Sequence, residues 1–488
     1  ILLSTANGKI DIGEAGLSGA MTSLQLLSKQ VRIDGPVENN STNTRSDIRI
    51  ITGGSEVEYD SSILPISDLE DWGRVTKKGV ADGSVALEIT ERGSLKANRV
   101  TVVSTNRGAG VSHAGSSLAS IGDFVIDASG KVTTRGANIK AARNVKIKAR
   151  SIKVASAPEM PQARIEAVSG ALTLLADTGG IENTGVLLSG NQIDSTDVDS
   201  KGGTTLKAAT DISLLTENAD QLAIAFSSTG DLVVEAGGKI TNNTGRFLSN
   251  AKTQLIADSA IVNRIDADSS TGQTGTVSTT VSKGKRLWYT LWTKRKRVET
   301  INVSYGTPRV PDQLGYIVGN SIDIRSPVSF SNLGGELNAN DGDIAIVAPE
   351  ILNVANYTGS ANFVRTCGLV CRGYGEANVS LTGGKLNASG DISLIALASY
   401  SDQGGQLTAL QNVNINSPDV LFEGRRVPTV VNRPPGLYNF WTGSYPWIYY
   451  EDLGATVVAP NGDIRIEAFG PINVTAGVLQ AGGDVIIP

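Results

Sequence analysis

Short runs of alternating apolar and polar positions recur along the whole chain, separated by glycine-rich turns. Segment 383–395 shows the pattern in full: a turn, a short strand-like run, a second turn and a second run. In a strand, Ile392 and Leu394 would point to one side and Ser393 to the other. The glycines stand where the chain must turn, because glycine reaches positive φ at low cost. The pattern therefore predicts short strands joined by tight turns.

The second run carries a signature, an Asp or Asn followed by an apolar-x-apolar triplet, and its copies are regularly spaced. Neighbouring copies lie 20 to 22 residues apart or near twice that distance, as in the step of 21 residues from Asp463 to Asp484. A fixed period of this length is typical of a solenoid. The copies begin at Asp123, Asn144, Asp211, Asp231, Asp343, Asp391, Asn412, Asp463 and Asp484.

The strands around these signatures are rich in Val, Ile and Thr, which favours a right-handed parallel β-helix, an all-β solenoid with extrahelical loop insertions. Leucine-rich repeats have a similar period, but they need a Leu-rich consensus and a helical arc, and the chain has neither. With the insertions set aside, roughly 18 to 20 coils are expected. At about 4.8 Å per coil they would form a rod of roughly 90 to 100 Å.

Interruptions of the repeat divide the chain into β-helical regions and insertions. The first insertion begins Ser/Thr/Gly-rich and continues basic and aromatic, and the second is rich in Pro and aromatic residues. A charged excursion that carries Trp72 leaves the first region at residues 60–83. The expected regions are 1–120 (β-helix), 121–265 (the most regular β-helix), 266–315 (first insertion), 316–423 (β-helix with the cysteines), 424–455 (second insertion) and 456–488 (β-helix).

Composition refines this picture. Aromatic residues make up 5% of the 488 residues and Met only 2, so a stacked core of Val, Ile, Leu and Ala is expected. The net charge of −5 gives no reason to expect a specific nucleic acid as the main partner. The chain has no run of 18 apolar residues, no initiator Met and no signal peptide, so we expect a segment of a longer fibre.

The chain offers little for catalysis. The single histidine, His113, has no orienting partner in the local sequence and is expected to be structural or exposed to solvent. The evenly spread Asp residues fit turn capping through nearby backbone N–H groups, and Asn residues such as Asn183 and Asn242 are expected to stack in ladders. Carboxylates cluster at Asp341 and Asp343, but the calcium repeat Gly-Gly-x-Gly-x-Asp is absent. We therefore expect no enzyme activity, no metal and no other cofactor.

The basic aromatic stretch combines cations with large rings. Seven Lys and Arg residues, among them Arg295 and Arg297, flank Trp288, Tyr289 and Trp292. One interpretation is a strand or hairpin laid over a face of the solenoid, with solvated charges at its ends. The other is a patch for anionic polysaccharide, lipid headgroups or extracellular DNA.

A second aromatic stretch, residues 438–450, holds seven of the 24 aromatic residues of the chain. Sugar rings stack on Trp and Tyr, and protein interfaces favour both residue types. The stretch is a candidate binding loop for a carbohydrate or a protein partner, or alternatively a loop that braces the rod. Its candidate contact residues are Tyr438, Trp441, Tyr445, Trp447, Tyr449 and Tyr450.

Three stretches, residues 26–37, 48–59 and 100–115, carry a family resemblance. In that order they resemble the end of the secretion domain and its junction with the fibre in filamentous haemagglutinin-like two-partner secretion exoproteins, which include adhesins and contact-dependent inhibition proteins. The resemblance is specific over residues 20–120 and generic beyond. It implies export through an outer-membrane two-partner secretion transporter and a location at the bacterial surface. The Asn-Pro-Asn-Gly motif of that secretion domain and the C-terminal toxin module are absent.

Cys367 and Cys371 are the only cysteines of the chain. In an exported protein, a lone pair most simply forms a disulfide. Across so short a loop the bond adds modest stability and shapes a surface loop. Free thiols are the alternative, whereas a metal site would need two more soft ligands.

These observations favour a structural and adhesive fibre segment, which displays binding loops on a stiff rod for adhesion to cells, biofilm matrix or a host. The alternative is a receptor-binding stalk of a contact-dependent growth inhibition protein. A β-helical polysaccharide lyase or hydrolase is the catalytic alternative. The expected partners are the secretion transporter, a cell-surface receptor or polysaccharide, and further copies of the fibre through lateral or end-to-end self-association.

Overall fold

Every regular element that the structure describes is a β-strand. Among these residues, none forms a helix of the length and apolar character needed to cross a membrane. The computed structural model describes residues 2–4, 8–53, 56–59, 73–77, 84–156, 159–190, 202–265, 274–283, 295–305, 314–367, 371–433 and 445–488.

The strands stack as three parallel faces around one core, which confirms the predicted parallel β-helix with extrahelical insertions. One coil contributes one strand to each face, as Val145–Ala149, Ser151–Ala155 and Arg164–Ala167 do in turn. Four long strands turn a corner and belong to both face 1 and face 2: Arg99–His113, Phe124–Arg135, Ile344–Val354 and Ile392–Gln403.

The remaining strands of the helix fall on one face each. Face 1 also contains Ser23–Ser28, Asp47–Thr52, Val145–Ala149, Leu172–Ala176, Thr204–Ala208, Leu232–Ala236, Lys252–Ala257, Ser321–Arg325, Val413–Ser417, Ile464–Ala468 and Val485–Ile486. Face 2 also contains Lys9–Ile12, Gln30–Ile33, Val85–Ile89, Ser151–Ala155, Ile181–Asn183, Ile212–Leu215, Ile240–Asn243, Ile261–Arg264, Ser329–Leu333, Asp419–Glu423 and Ile472–Val474. Face 3 contains Leu17–Gly19, Pro36–Asn39, Ser94–Ala97, Ser116–Ala119, Asn138–Ala141, Arg164–Ala167, Val186–Ser189, Ile224–Ser227, Arg246–Ser249, Tyr316–Gly319, Glu336–Ala339, Lys385–Ala388, Gln406–Ala409, Ala455–Ala459 and Gly477–Ala481.

The alternating sequence pattern builds the core, because every second side chain of a strand points inward. Buried and less buried positions alternate along all 12 residues of Phe124–Arg135. Equivalent inward positions stack from coil to coil, as the fully buried Ile147, Leu174 and Leu206 do. Burying a side chain of this size contributes about 1.5–3 kcal/mol, so the stack itself stabilises the rod.

Face 3 holds 15 strands, so the described helix has fewer coils than the roughly 18 to 20 expected from the period. Regular coils keep the predicted period, as in the 22-residue step from Leu95 to Ser117. The expected number of coils is wrong because a long step between copies of the repeat signature holds an insertion rather than a second coil. Asp391 stacks directly on Asp343, 48 residues earlier. At about 4.8 Å per coil, the rod is roughly 70 Å long.

The aspartates of the repeat cap the turn of the neighbouring coil. Asp123 Oδ1 accepts hydrogen bonds from the backbone N–H of Asn144 at 3.0 Å and from its side-chain amide at 3.1 Å. Asp391 Oδ1 accepts from the backbone N–H of Asn412 at 2.8 Å. Capping of nearby N–H groups is what the sequence predicts; the structure shows that the capped groups belong to the next coil, because equivalent turn positions lie one above the other.

A buried ladder of amide side chains runs along face 2 and ends at Asp402. Each Asn of the ladder donates from Nδ2 to Oδ1 of the next at 2.8 or 2.9 Å. The last of them donates to Asp402 Oδ2 at 3.0 Å. The four amides in order are Asn242, Asn263, Asn332 and Asn353.

Asp402 is fully buried at the end of this ladder. Its Oδ1 accepts a hydrogen bond from the backbone N–H of Gly405 at 2.8 Å, and the Tyr400 hydroxyl donates to its Oδ2 at 3.1 Å. Burial raises the pKa of Asp402 to about 6, although the hydrogen bonds favour the charged form. Phe422 occupies the same ladder position in the next coil and packs edge-on against Tyr400, so the polar ladder stops there.

Two other polar residues with an expected role are structural. Asn183 is separated from the ladder by Leu214. It bonds instead to Gly185, whose N–H donates to its Oδ1 at 3.0 Å. His113 is fully buried, with its Nε2 at 2.7 Å from Ser117 Oγ. Burial lowers the pKa of His113 to about 4, so the ring is neutral at physiological pH.

A small antiparallel sheet covers part of face 1 near the N-terminal end of the rod. Val57 of this sheet is fully buried and packs in a second apolar cluster with Ile51, Leu27 and Val103. The excursion after residue 53 therefore supplies strands that shield outward apolar positions of the helix, while Trp72 lies outside the described residues. The strands of the small sheet are Leu2–Ser4, Glu56–Tyr59 and Gly73–Lys77.

Candidate binding surface

Three insertions, far apart in sequence, meet outside the β-helix. The first insertion and an insertion at residues 356–382, here the middle insertion, together form a four-stranded antiparallel sheet, the outer sheet. The second insertion forms a hairpin of Arg425–Arg433 with Tyr445–Leu453, the outer hairpin. A short pair, Asn356–Thr358 with Ser380–Thr382, lies at the base of the middle insertion. The outer sheet has the order Thr274–Lys283, Arg295–Ser304, Ser360–Cys367, Cys371–Ala377.

All three insertions leave the rod at the corner between face 2 and face 3, at alternate coils. They follow the face 2 strands Ile261–Arg264, Ile344–Val354 and Asp419–Glu423, with one coil between each pair. The coils between them pass this corner in tight Gly-Gly turns, in which Gly334 and Gly404 have φ of 72° and 63°. Two coils span about 10 Å, so the insertions leave the rod close enough to pair with one another.

The outer hairpin packs on the outer sheet at a glycine of its edge strand. A Cβ atom at Gly375 would lie 2.8 Å from Val430 Cγ1 and 3.1 Å from Pro446 Cβ, so only glycine admits the hairpin at this distance. Asn432 Nδ2 donates to the carbonyl of Gly375 at 3.3 Å. The packing of the outer hairpin on the outer sheet therefore depends on the missing side chain of Gly375.

Arg365 joins all three insertions. It pairs directly across the outer sheet with Glu299 of the first insertion, and its guanidinium donates to Glu299 Oε2 at 2.6 Å. The guanidinium also lies 4.8 Å from the ring centroid of Trp447 in the outer hairpin. The Arg365 and Glu299 side chains are only 18% and 19% exposed, so solvent screens this pair less than a surface ion pair.

A cluster of tyrosines lies where the insertions leave the rod. The rings of Tyr305 and Tyr357 stack with their centroids 4.7 Å apart. The guanidinium of Arg425, which belongs to the outer hairpin, lies 5.1 Å from the ring centroid of Tyr357. Burial raises the pKa of Tyr305, and the neighbouring Tyr357 and Tyr450 add to the shift. The cluster therefore brings together residues from the first, middle and second insertions.

Three of the aromatic residues singled out from the sequence lie on the described part of the outer hairpin. Trp447, Tyr449 and Tyr450 are 38%, 42% and 52% exposed, and the first two rings lie 6.4 Å apart. Tyr374 and Val364, paired across the outer sheet, are exposed as well. Trp447 thus contacts Arg365 and is also partly exposed to solvent, so bracing and binding are compatible at this residue.

The other predicted contact residues are described only in part or not at all. Arg295 and Arg297 hold strand positions opposite Lys283 and Val281, and Tyr445 is paired with Arg433, but their side chains lie outside what the structure describes. Trp288, Tyr289, Trp292, Tyr438 and Trp441 lie outside the described residues.

Cys367 and Cys371 are directly paired residues at the end of the last two strands of the outer sheet. Directly opposite residues of an antiparallel pair have Cα atoms about 4.5–5.5 Å apart, a separation that a disulfide can span. Their side chains lie outside the described residues, so the disulfide stays a prediction. Such a bond would close the hairpin that carries Arg365.

Sequence reasoning missed the middle insertion and with it Arg365, Tyr357 and Tyr374. The signal was the 48-residue step from Asp343 to Asp391, which is more than twice the period of the repeat. Among the described residues, no three His, Cys, Asp or Glu side chains are grouped so that they could hold a metal ion.

The chain is 28% identical over 131 residues to a protein of Burkholderia pseudomallei (strain 1026b) named tRNA nuclease CdiA-2, a contact-dependent inhibition protein of the filamentous haemagglutinin-like family. The match covers 26% of this chain and 4% of that protein. No protein-family model and no solved structure matches the chain. The similarity supports the coarse class, a filamentous haemagglutinin-like surface protein. Proteins of that class are secreted and displayed on the cell surface.

Proposed function

We propose that this chain is a non-enzymatic rod segment of a secreted bacterial surface fibre, which holds the outer sheet and outer hairpin away from the cell as an adhesive surface. The observation that carries the proposal is the convergence of three insertions from one corner of the rod. A purely structural rod needs only tight turns at this corner, as at Gly404. The exposed rings of Trp447 and Tyr450 belong to the residue types that dominate interface energies.

The test is adhesion of beads coated with the purified chain to bacterial cells, biofilm matrix and host epithelial cells. We expect the Tyr449→Ala/Tyr450→Ala double variant and the Trp447→Ala variant to lose at least about tenfold in adhesion, because buried interface aromatics contribute about 2 kcal/mol or more each. The matched control is Phe469→Ala, which removes a ring that is 87% exposed on the rod. Melting curves accompany each variant. Normal adhesion with much earlier melting would mean that the hairpin braces the rod and that the adhesive surface lies elsewhere.

A second candidate function, the receptor-binding stalk of a contact-dependent growth inhibition protein, is favoured by the similarity to CdiA-2. The two functions differ in what the beads recognise. A stalk should bind living bacteria of related strains and lose that binding when one outer-membrane receptor is deleted. An adhesin for matrix or host should be indifferent to that deletion.

Export through an outer-membrane two-partner secretion transporter and self-association of the fibre complete the proposal. The transporter follows from the family resemblance. Deleting the matching transporter from the producing strain should abolish surface display of the fibre. Self-association is tested by analytical ultracentrifugation of the chain, where a single monomeric species across concentrations would contradict it.

A further inference from the structure

A cleft of about 530 Å³ opens where the outer hairpin leaves the β-helix. Its volume lies in the range of about 300–1,000 Å³ that is typical of sites for small molecules. One wall is the rod, where Gln403 and Glu423 lie side by side on neighbouring strands of face 2. The other wall is the root of the outer hairpin, which supplies Arg425, Arg426 and Asp452.

Four polar or charged side chains of the cleft are held in place before any ligand arrives. The Arg425 guanidinium donates to Gln403 Oε1 at 2.9 Å and lies over the ring of Tyr357, which also stacks with Tyr305. Arg426 Nε donates to Asp452 Oδ1 at 2.9 Å across the strands of the hairpin. Groups that are already ordered lose little conformational entropy on binding, so the cleft is suited to a ligand that makes many weak polar contacts.

The charges of the cleft are balanced. Arg425 and Arg426 face Glu423 and Asp452, and Glu423 makes no side-chain hydrogen bond or ion pair within the described residues. With two guanidinium groups and two carboxylates, the cleft has no net charge that would favour either an anion or a cation. An apolar ligand would strip water from four charged side chains without replacing their hydrogen bonds, which is costly. A hydroxyl group both donates and accepts, so it can satisfy guanidinium, carboxylate and amide groups at once.

We propose that this cleft binds a neutral, polyhydroxylated ligand, namely a short stretch of uncharged oligosaccharide. The inference rests on the proposed adhesive function and gives its ligand a chemical class. It also places the main polar contacts at the root of the outer hairpin, apart from the exposed rings of Trp447 and Tyr449. The saccharide has two possible sources, a bacterial surface or matrix polysaccharide and a host glycan.

The probe is a printed array of oligosaccharides with four arms: neutral and acidic fragments of bacterial polysaccharides, and neutral and sialylated host-type glycans. The purified chain is compared with Glu423→Ala and with the double variant Arg426→Ala/Asp452→Ala, which removes an ion pair without leaving a lone charge. The matched control is Arg465→Ala/Glu467→Ala, because these residues form an exposed ion pair of the same kind, at 2.7 Å, on face 1. Far-UV circular dichroism melts verify that every variant is folded.

We expect the chain to bind neutral oligosaccharides of at least one source, and both cleft variants to reduce that signal at least tenfold while the control variant does not. Binding of acidic oligosaccharides alone would overturn the proposal, as would neutral binding that the cleft variants leave unchanged. If no oligosaccharide binds but coated beads still adhere to cells, the cleft inference fails and the adhesive function stands. If the array binds as expected but beads adhere to nothing, the adhesive function fails and the cleft assignment stands.

Discussion

Replacing Asp402 with Asn isolates the cost of the single buried carboxylate at the end of the amide ladder. The carboxyl is fully buried, and burial raises its pKa to about 6, whereas an Asp in an unfolded chain has a pKa of about 3.9. The folded protein therefore binds this proton more tightly than the unfolded chain. The stability linked to Asp402 is fully present below about pH 4 and is lost as the pH rises through about 6.

The size of the effect follows from the shift. One pKa unit corresponds to 1.36 kcal/mol, so ionisation of Asp402 lowers the free energy of unfolding by about 2 kcal/mol between pH 4 and pH 7.5, and by about 3 kcal/mol relative to the fully protonated protein. In Asp402→Asn, the new amide can donate to a backbone carbonyl as Asn332 Nδ2 does to Gly335 at 3.1 Å. It gives up the hydrogen bond from Gly405 N–H, which costs about 1 kcal/mol. The variant should be about 2 kcal/mol more stable than the parent at pH 7.5 and about 0.5 kcal/mol less stable at pH 4.

The assay is urea-induced unfolding, followed by far-UV circular dichroism at pH 4, 5.5 and 7.5 and constant ionic strength. The control is Asp343→Asn, which removes the same charge from an exposed turn. The difference in the free energy of unfolding between this variant and the parent should keep the same sign at all three pH values. If the difference between Asp402→Asn and the parent is the same at all three pH values, Asp402 titrates alike in the folded and unfolded chain. That result would refute the reasoning.

The outer sheet yields three further predictions. Thiol titration of the unreduced, unfolded chain should find no free thiol, and two thiols per chain would show that Cys367 and Cys371 are not bridged. Arg365→Ala should lower the melting temperature of the outer sheet and shift the tryptophan fluorescence, because it removes the guanidinium that donates to the largely buried Glu299, at a cost of about 1–3 kcal/mol. Arg426→Ala breaks an exposed ion pair and should change neither property; equal effects of the two substitutions would contradict the assigned burial. Replacing the first insertion with a Gly/Ser link should leave the β-helix folded but expose the middle insertion to limited proteolysis, and unchanged protection would mean that the insertions fold independently.

Much of the rod was predictable from sequence because each coil repeats one local rule. An Asp at a turn and apolar residues two apart suffice to place Asp463, Ile464 and Ile466 correctly in the stack. The inward side chains of neighbouring coils come from equivalent positions of the repeat, so a period in sequence becomes contact in space. The same rule explains the error in coil number, because a step of about twice the period fits two coils as well as it fits one coil with an insertion.

The composite surface was not predictable in the same way. Arg365 and Glu299 are 66 residues apart and belong to segments without any period, so nothing local indicates that they pair. Exposed aromatic residues in the outer hairpin were visible as a change of composition, whereas their support by Gly375 and Arg365 depends on tertiary contacts. The insertions leave one corner of the rod at every second coil, and this arrangement can be recognised only when the register of the coils is known.

The turn aspartates give the stack a direction. Each reaches from one coil to an N–H group of the coil that follows in the chain, as Asp123 does to Asn144 and Asp463 to Asp484. A completed coil therefore presents two features to the residues that come next in sequence. One is the carboxylate oxygen of its turn aspartate, which can accept a hydrogen bond, and the other is its set of inward-pointing apolar side chains. Growth from the N-terminal side can proceed one coil at a time, with the last finished coil acting as a template and each addition closing a loop of only about 21 residues. A long chain assembled in this way never has to search for distant partners until it reaches an insertion.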